Sequence, residues 1–495
     1  MASERWHGFL DHQIATRPDD PAVSDSTGVD WTYRDLDAAC DSVSEHLKRA
    51  GVLPGDRVMV LIENCAAAMA AVFAASRIGA IAVPVNARQT TGELQRILDH
   101  ARPRVVLFTT NSSKDAQVHA TEMNAVEITG AFGTLHMAMP FESAPDDLPD
   151  VAVLLYTTGT TGTPKGVMLT HDNLRFGAKT SGTLRGMVHE DRIYGVLPIT
   201  HVFGLTSITT AATYAGAYIH FEARFSAERL YNALCGGTTL FSGVPQMHAL
   251  LMQYAKEQGH TRLPENRLRY VSSGAAPLDP AWKRKAESFY GVALQNGYGM
   301  TETTAGVSIT KSELGDPDIS CGPALPGIEI VIDAPSDDGV GEILTRGAVV
   351  MKGYYKNPKA TAAVLSSDGW LKTGDLGRID EKGRVHIVGR AKELIIHGGF
   401  NVYPPEVEAA LNDHPKVVQC AVIGRSKDGD EEVLAFVQAA PDDLPEAADL
   451  KLFAAERLAG YKRPKHIVVA TDLPAAPTGK ILKHKLLEAF EGQLP

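Results

Sequence analysis

VAVLLYTTGTTGTPKG, residues 151–166, joins an apolar run to a loop of threonines and glycines that contains one lysine. Residues 151–156 are aliphatic apart from the final tyrosine and are bounded by turn-forming residues, which is typical of a short buried strand. The next ten residues hold five threonines, three glycines and Lys165. Glycine lets backbone N–H groups approach an anion, while threonine hydroxyls and a lysine ammonium add donors and charge. The stretch therefore predicts a strand that leads into a phosphate-binding loop.

Two other interpretations of this loop are weaker. A Walker A loop requires Gly-Lys followed by Ser or Thr, whereas here Pro164 precedes Lys165 and Gly166 follows it. A flexible linker also has a composition rich in glycine and hydroxyl residues, but a linker does not account for the embedded lysine.

Strand and helix patterns alternate on both sides of this stretch. The alternation indicates parallel sheets covered by helices. Predicted strands cover 57–62, 80–85, 104–108 and 191–197, and predicted helices cover 31–49, 66–79 and 91–100. After about Gly322, short β-rich runs at 328–332, 341–345 and 385–388 predict a smaller β unit.

The pattern changes again near Arg390, where a helix (405–412), two strands (417–423 and 432–438) and a second helix (447–459) are predicted. The sequence thus predicts an α/β protein with two domains. The N-terminal domain, residues 1–390, holds parallel sheets with packed helices and a β-barrel-like subdomain. A small, mobile α+β C-terminal domain covers residues 391–495.

Charge and cysteine content restrict the partners and the compartment. Of the 495 residues, 48 are Lys or Arg and 59 are Asp or Glu, which gives a net charge of −11 and argues against a nucleic-acid surface. The five cysteines form no CxxC pair, which favours a reducing compartment. The N-terminus lacks an apolar signal core, and the apolar stretch 66–85 contains Arg77. We therefore expect a cytoplasmic protein with no nucleic-acid partner and no stable membrane insertion.

A second constellation combines SSGAAP at 272–277 with QNGYGMTET at 295–303. Tyr298 lies between two glycines and offers a ring for stacking a flat base, and Asn296 offers a hydrogen bond to an amino group on that base. Glu302, beside Thr301, is suited to holding Mg²⁺ against a phosphate. The alternative is an ordinary glycine-rich turn.

Three shorter stretches contribute one charged residue each. Asp375 in TGDL is suited to accepting two ribose hydroxyls, and Arg390 in GRAKELII places a fixed charge at the domain junction. Lys480 lies in the turn PTGKIL near the C-terminus. Taken alone, each of these residues is more typical of a solvated surface group.

Together, these motifs resemble those of the adenylate-forming superfamily, which includes acyl-CoA synthetases, luciferases and the adenylation domains of peptide synthetases. The resemblance extends from Trp31-Thr32-Tyr33 to Lys480, with the motifs in the family's order and spacing. It is strongest to carboxylate–CoA ligases of the 4-chlorobenzoate, 4-coumarate and fatty acyl types. It implies that ATP, Mg²⁺ and CoA are used.

The resemblance also implies a role for each motif. Thr301 would contact the α-phosphate, Glu302 would hold Mg²⁺, and Lys480 would bridge the carboxylate and the α-phosphate during adenylation. Asp375 and Arg390 would contact the ribose. The remaining ATP- and AMP-binding positions are Thr157, Thr158, Gly159, Thr160, Thr161, Gly162, Thr163, Lys165, Gly274, Ala275, Ala276, Asn296, Gly297, Tyr298 and Gly299.

The resemblance also assigns residues to the hinge, to CoA and to the acyl substrate. Lys392 occupies the family's hinge position, where many members carry Asp, and Gly398 and Gly399 resemble the turn that lines the pantetheine tunnel. His201 would gate the acyl site or cap its carboxylate end; a core histidine is the alternative. The acyl pocket would be lined by His201, Val202, Phe203, Val244, Gly274, Gly297, Gly299 and Ala305.

The function expected from the resemblance is ATP-dependent, AMP-forming ligation of an aromatic or medium-chain monocarboxylic acid to CoA. No residue of the predicted acyl pocket is a fixed cation, and malonyl-type ligases carry Arg where Gly297 stands, which counts against a dicarboxylate. The alternative is a stand-alone adenylation enzyme that loads a carrier protein. No acidic residue lies between Asp191 and Glu222, where peptide-synthetase domains carry an Asp. Luciferase-type oxidation is a weaker alternative. For the oligomeric state of the protein, the assembly that we consider is a homodimer.

Overall fold

A computed structural model of the chain describes residues 4–157, 164–274, 278–398, 400–427, 430–475 and 481–494. Two eight-stranded sheets form most of it. In the first sheet, six parallel strands occupy the centre and an antiparallel strand lies at each edge. In spatial order, its strands are Ser308–Ile309, Leu294–Tyr298, Tyr270–Ser273, Leu240–Gly243, Arg192–Gly195, Tyr218–Phe221, Pro21–Asp25 and Asp30–Thr32.

The second sheet has four parallel central strands, with two antiparallel strands on either side. Its strand Arg57–Ile62 is buried at every position, as expected for a parallel strand covered on both faces. In spatial order, its strands are Gly353–Tyr354, Lys165–Thr170, Val151–Thr157, Ile81–Asn86, Arg57–Ile62, Val105–Phe108, Gly133–Ala138 and Val126–Gly130.

Helices pack on both sheets, and three of them begin at a threonine that forms a capping box: Thr32, Thr90 and Thr170. The alanine-rich helix Ala66–Arg77 is buried almost throughout. In the described part of the chain, no helix combines the length and apolar content needed to cross a bilayer. The other helices of this region are Gly8–Thr16, Tyr33–Arg49, Thr91–Ala101, Lys114–Glu122, His171–Leu184, Ala211–Ala215, Ala227–Cys235, Pro245–Glu257, Pro280–Tyr290 and Pro358–Val364.

The β unit predicted after Gly322 is a four-stranded antiparallel sheet. Its last two strands place Asp375 directly opposite Arg390. Its strands are, in order, Ile328–Asp333, Gly341–Gly347, Leu371–Ile379 and Val385–Arg390.

The C-terminal region has its own apolar core, built around Val422, Ala435 and Leu450. It is an α+β unit, as the sequence predicts. Its strands are Ile395–His397, Phe400–Val402, Val417–Lys427, Asp430–Ala439 and His466–Ala470, and its α-helices are Pro404–Asn412, Ala447–Ala455 and Leu486–Ala489.

Two local features differ from the sequence prediction. Trp31 and Thr32 belong to the strand Asp30–Thr32, and the helix begins at Tyr33, because Thr32 has an extended backbone and its side chain accepts a hydrogen bond from the Asp35 N–H. No helix was predicted for residues 198–210, whereas a π-helix covers Phe203–Thr210. Such wide turns often occur at functional sites.

Candidate active site

The two ends of the predicted phosphate loop are paired in the second sheet. Thr157 ends one strand and lies opposite Lys165, which begins the next; residues 158–163 lie outside the described residues. The Lys165 ammonium lies 4.7 Å from the centre of the Tyr354 ring. This distance is within cation–π range, so the tyrosine fixes the lysine at the end of the loop.

Glu302 lies on the short 3₁₀ turn Thr301–Thr303 and is only 8% exposed. The Tyr354 hydroxyl donates a hydrogen bond of 2.8 Å to Glu302 Oε1. Burial and the Glu302 carboxylate both raise the pKa of Tyr354, so the hydroxyl remains a donor at neutral pH. One buried tyrosine therefore contacts both the predicted phosphate lysine and the predicted metal ligand.

Tyr354 is a residue that the sequence analysis missed. It belongs to the two-residue strand Gly353–Tyr354, in which it pairs with Val167 two positions after Lys165. A strand this short has no recognisable period in the sequence.

The carboxylate present at this position fits Mg²⁺. Apart from the hydrogen bond from Tyr354, the Glu302 side chain accepts no other hydrogen bond from the described residues, which leaves Oε2 available. Mg²⁺ commonly binds through one or two carboxylates together with substrate phosphates and water. Over the described ranges, no cluster of three or more His, Cys, Asp or Glu residues is placed to hold a metal. Glu302 therefore suits an ion that arrives with the nucleotide.

The predicted base and ribose residues meet at Asp375. The Arg390 Nε lies 3.1 Å from Asp375 Oδ1, and the Tyr298 hydroxyl donates to Oδ2 at 2.6 Å. Burial, and then the Asp375 carboxylate, hold the pKa of Tyr298 well above its usual value. Since a carboxylate oxygen accepts more than one hydrogen bond, Asp375 retains acceptor positions for two hydroxyls.

Asp375→Asn is expected to raise the KM for ATP about ten-fold, because hydrogen bonds to charged groups contribute about 1.5–3 kcal/mol and the amide halves the acceptor capacity. This KM is measured from the rate of pyrophosphate release at varied ATP concentration. Asp368→Asn is the matched control, because Asp368 lies on an exposed turn and its side chain accepts from Ser366. An unchanged KM for ATP in Asp375→Asn would contradict the ribose role.

The strand Leu294–Tyr298 carries the other predicted base contacts. Asn296 is buried, and its Nδ2 donates to the Ser320 carbonyl at 3.0 Å, so Oδ1 is the atom left for a base amino group. At Gly299, a Cβ atom would lie 1.5 Å from the Ala305 carbonyl oxygen, so only glycine fits. Thr304 and Ala305 have φ angles of +53° and +126°, a conformation that L-residues rarely adopt and that is often found at functional sites.

The predicted acyl residues gather at the carboxyl edge of the first sheet, where open parallel sheets bind their ligands. Gly274 follows the strand Tyr270–Ser273, and a Cβ atom there would lie 2.9 Å from Phe203 Cε1. Val202 and Phe203 begin the π-helix, and Val244 caps the helix Pro245–Glu257. His201 immediately precedes them, and its side chain is exposed.

The predicted hinge residue and one of the two residues predicted to line the pantetheine tunnel lie just beyond Arg390. Lys392 is exposed on the 3₁₀ turn Ala391–Glu393. Gly398 has a φ of +58°, and its N–H donates to the Asp430 carboxylate at 3.0 and 3.1 Å. Besides residues 158–163, four further predicted residues lie outside the described part of the chain: Ala275, Ala276, Gly399 and Lys480.

A lysine close to Lys480 in sequence forms an anchor that the sequence analysis did not identify. Lys483 Nζ lies 2.9 Å from a carboxylate oxygen of Glu393 and 2.9 Å from one of Glu408. The segment that follows Lys480 is thereby attached to the turn that holds Lys392. No spacing rule connects these positions, because Lys483 and Glu393 are 90 residues apart.

Two family models match the chain: AMP-binding enzyme over residues 10–355, and AMP-binding enzyme C-terminal domain over residues 406–480. The chain is 30% identical over 493 residues to the long-chain-fatty-acid–CoA ligase FadD13 of Mycobacterium tuberculosis, with 96% of each chain covered. It is 33% identical over 476 residues to a feruloyl-CoA synthase from an Amycolatopsis species, with 94% of each covered.

Among solved structures, ATP-bound MatB from Rhodopseudomonas palustris is 30% identical, with a TM-score of 0.83 and 99% of each chain covered. An anthranilate CoA ligase bound to anthranoyl-AMP, at 24% identity and a TM-score of 0.86, has the same fold. The chain therefore belongs to the AMP-binding enzymes, the adenylate-forming superfamily, among its AMP-forming acyl-CoA ligases.

Proposed function

We propose that this enzyme activates an aromatic or medium-chain aliphatic monocarboxylic acid as its acyl-adenylate and then transfers the acyl group to CoA. The observation that carries the proposal is the position of Tyr298. This residue ends the strand next to the one that leads into Gly274, the predicted acyl residue, and its hydroxyl binds Asp375, the predicted ribose residue. The nucleotide side and the acyl side of the site thus lie on neighbouring strands.

In the first half-reaction, a carboxylate oxygen of the acid attacks the α-phosphorus of ATP, and pyrophosphate leaves. Both reactants are anions, so the proposal assigns Lys165 to the β- and γ-phosphates and Lys480 to the carboxylate and the α-phosphate. These cations offset the repulsion and stabilise the charge that develops in the transition state. Mg²⁺ held by Glu302 would neutralise phosphate charge and support pyrophosphate as a leaving group.

In the second half-reaction, the CoA sulfur attacks the acyl carbon, the thiol proton is lost, and AMP leaves. Lys480 has to withdraw before the thiol can enter. We therefore assign residues 391–495 to a domain that rotates about Lys392 relative to residues 1–390. A rotation of this kind lets one site serve two steps in turn. Gly398 and Gly399 are assigned to the pantetheine path.

The proposed class of acid is supported by the residues around the acyl position. Gly274, Gly297, Gly299 and Ala305 are small, and Phe203 supplies an aromatic wall, which suits a planar ring or an alkyl chain. The relatives named above are a long-chain-fatty-acid–CoA ligase and a feruloyl-CoA synthase, which act on an alkyl and an aromatic acid, respectively.

Pyrophosphate release over a panel of carboxylic acids, measured with and without CoA, tests the proposal. We expect slow release with a matching acid alone, fast release when CoA is added, and an acyl-CoA product detected by mass spectrometry. Reactions without acid give the background. Acid-dependent pyrophosphate release that never yields acyl-CoA would refute the ligase proposal and favour the alternative, a carrier-protein acceptor.

The proposal also includes a cytoplasmic location and a homodimer. The location is supported by Cys40, Cys65, Cys235, Cys321 and Cys420, which are all free thiols, as is typical of a reducing compartment. Cell fractionation tests the location, and sedimentation equilibrium tests the dimer.

A further inference from the structure

A buried arginine lies behind the predicted acyl pocket. Arg185 follows the helix His171–Leu184 and is only 6% exposed. Its guanidinium carbon lies 5.9 Å from the centre of the Phe203 ring and 5.6 Å from that of Tyr270. Phe203 also packs against Gly274, so one aromatic ring contacts both the acyl-pocket backbone and this cation.

In the part of the chain that the structure describes, the charge of Arg185 has no counter-ion. Its one side-chain hydrogen bond to described residues runs from Nη1 to the Ser207 carbonyl, and its Nε is buried with no partner among them. Among the described residues, no Asp or Glu forms an ion pair with it. Arg269, which donates to the Arg185 backbone carbonyl, forms its own ion pair with Asp191. Burying a guanidinium without a counter-ion is unfavourable for folding, so a role in binding explains Arg185 better than a role in stability.

Tyr270, whose ring lies beside the Arg185 guanidinium, also carries a buried polar group that lacks a described partner. The Tyr270 hydroxyl is buried and has no hydrogen-bond partner within the described ranges. Tyr270 begins the strand that leads into Gly274. Buried polar groups in native proteins are almost always paired, and exceptions are often completed by a bound molecule. Arg185 Nε can only donate, and the Tyr270 hydroxyl can donate as well as accept, so an oxygen acceptor is the one kind of group that satisfies both.

We infer that Arg185 and Tyr270 receive an oxygen acceptor carried by the substrate acid at the end remote from the reacting carboxylate. The inference rests on the proposed function and specifies the acid further, as one with a distal hydroxyl or keto oxygen; a distal carboxylate would instead extend the proposed class from monocarboxylic to dicarboxylic acids. A guanidinium gives charge-assisted hydrogen bonds to any of these groups and binds the anionic one most strongly. No cation was expected beside the pocket, because none of the residues predicted to line it is a fixed cation. Arg185 is 18 residues from Phe203 in sequence and belongs to no motif.

Matched pairs of acids test the inference: cinnamate against 4-hydroxycinnamate, and hexanoate against hexanedioate. For the wild-type enzyme, we expect kcat/KM for thioester formation to be at least ten-fold higher for the oxygenated member of one pair. A polar site that is left unpaired discriminates by about this factor or more. A preference in the first pair indicates a neutral acceptor, and a preference in the second an anionic one.

Two variants locate the origin of the preference. Tyr270→Phe removes only the hydroxyl, and Arg185→Met removes the charge at similar length; each is expected to reduce the preference ratio about ten-fold. Tyr231→Phe is the control, since its ring packs on Tyr254 in another part of the first domain. Arg185→Met is also expected to keep or raise the thermal midpoint, whereas a purely structural arginine would lower it.

The inference is overturned if the wild-type enzyme shows no preference in either pair, or if both variants keep the wild-type ratio. If Arg185→Met does not fold, the preference ratio of Tyr270→Phe alone tests the inference. If none of the panel acids is converted to a thioester, the proposed function itself fails. Thioesters formed without any preference refute only the distal acceptor.

Discussion

Lys480→Ala is expected to slow acyl-adenylate formation at least a hundred-fold while leaving thioester formation from presynthesised acyl-AMP and CoA largely intact. The lysine is proposed to stabilise charge where two anions meet, and removing one such preorganised contact typically costs on the order of 10²–10³ in kcat. Thiolysis of a ready-made adenylate does not use that contact. Acid-dependent ATP–pyrophosphate exchange measures the first step, and acyl-CoA formation from added acyl-AMP measures the second.

Lys485→Ala is the matched control for this experiment, because Lys485 is an exposed lysine of the same C-terminal segment. The Lys485→Ala enzyme should carry out both half-reactions at the wild-type rate. If Lys480→Ala lost both steps equally while it remained folded, the assignment of a rotating domain would be wrong.

Glu302→Gln is expected to lower the rate of adenylation about a hundred-fold and to raise the Mg²⁺ concentration needed for half-maximal rate. The amide keeps the size of the side chain and can still accept from Tyr354, but it removes the negative charge that a divalent cation requires. Pyrophosphate release at varied Mg²⁺ and saturating ATP measures both effects.

Two comparisons separate the charge of Glu302 from its position. Tyr354→Phe leaves the carboxylate and removes the hydroxyl that orients it, so we expect a smaller loss, about ten-fold, with little change in the Mg²⁺ requirement. Glu313→Gln, on an exposed loop, should leave both quantities unchanged. A wild-type Mg²⁺ dependence in Glu302→Gln would refute its role as a metal ligand.

The sequence predicted those parts of the molecule that local pattern determines. The strand Val151–Thr157 was visible because apolar residues end at a threonine–glycine loop, and the fold class followed from the alternation around it. The pairing of Asp375 with Arg390 was anticipated only in part. Both residues were assigned to the ribose, but their register came from the structure.

Other features depend on contacts between distant segments. Tyr354 is 52 residues from Glu302 and reaches it through a two-residue strand, and nothing in the motif around either residue indicates the contact. Arg185 resembles an ordinary arginine at a helix end until Phe203 and Tyr270 are seen packed against it. The π-helix is also invisible in sequence, because its apolar residues fit an α-helix equally well.

The anchoring of Lys483 to Glu393 and Glu408 bears on the entropy of catalysis. Under the proposed rotation at Lys392, the segment next to Lys480 would travel with the turn to which it is bound, instead of searching for its position as a free loop. The entropic cost of ordering the segment that follows Lys480 would then arise once, when the chain folds, and not at every turnover.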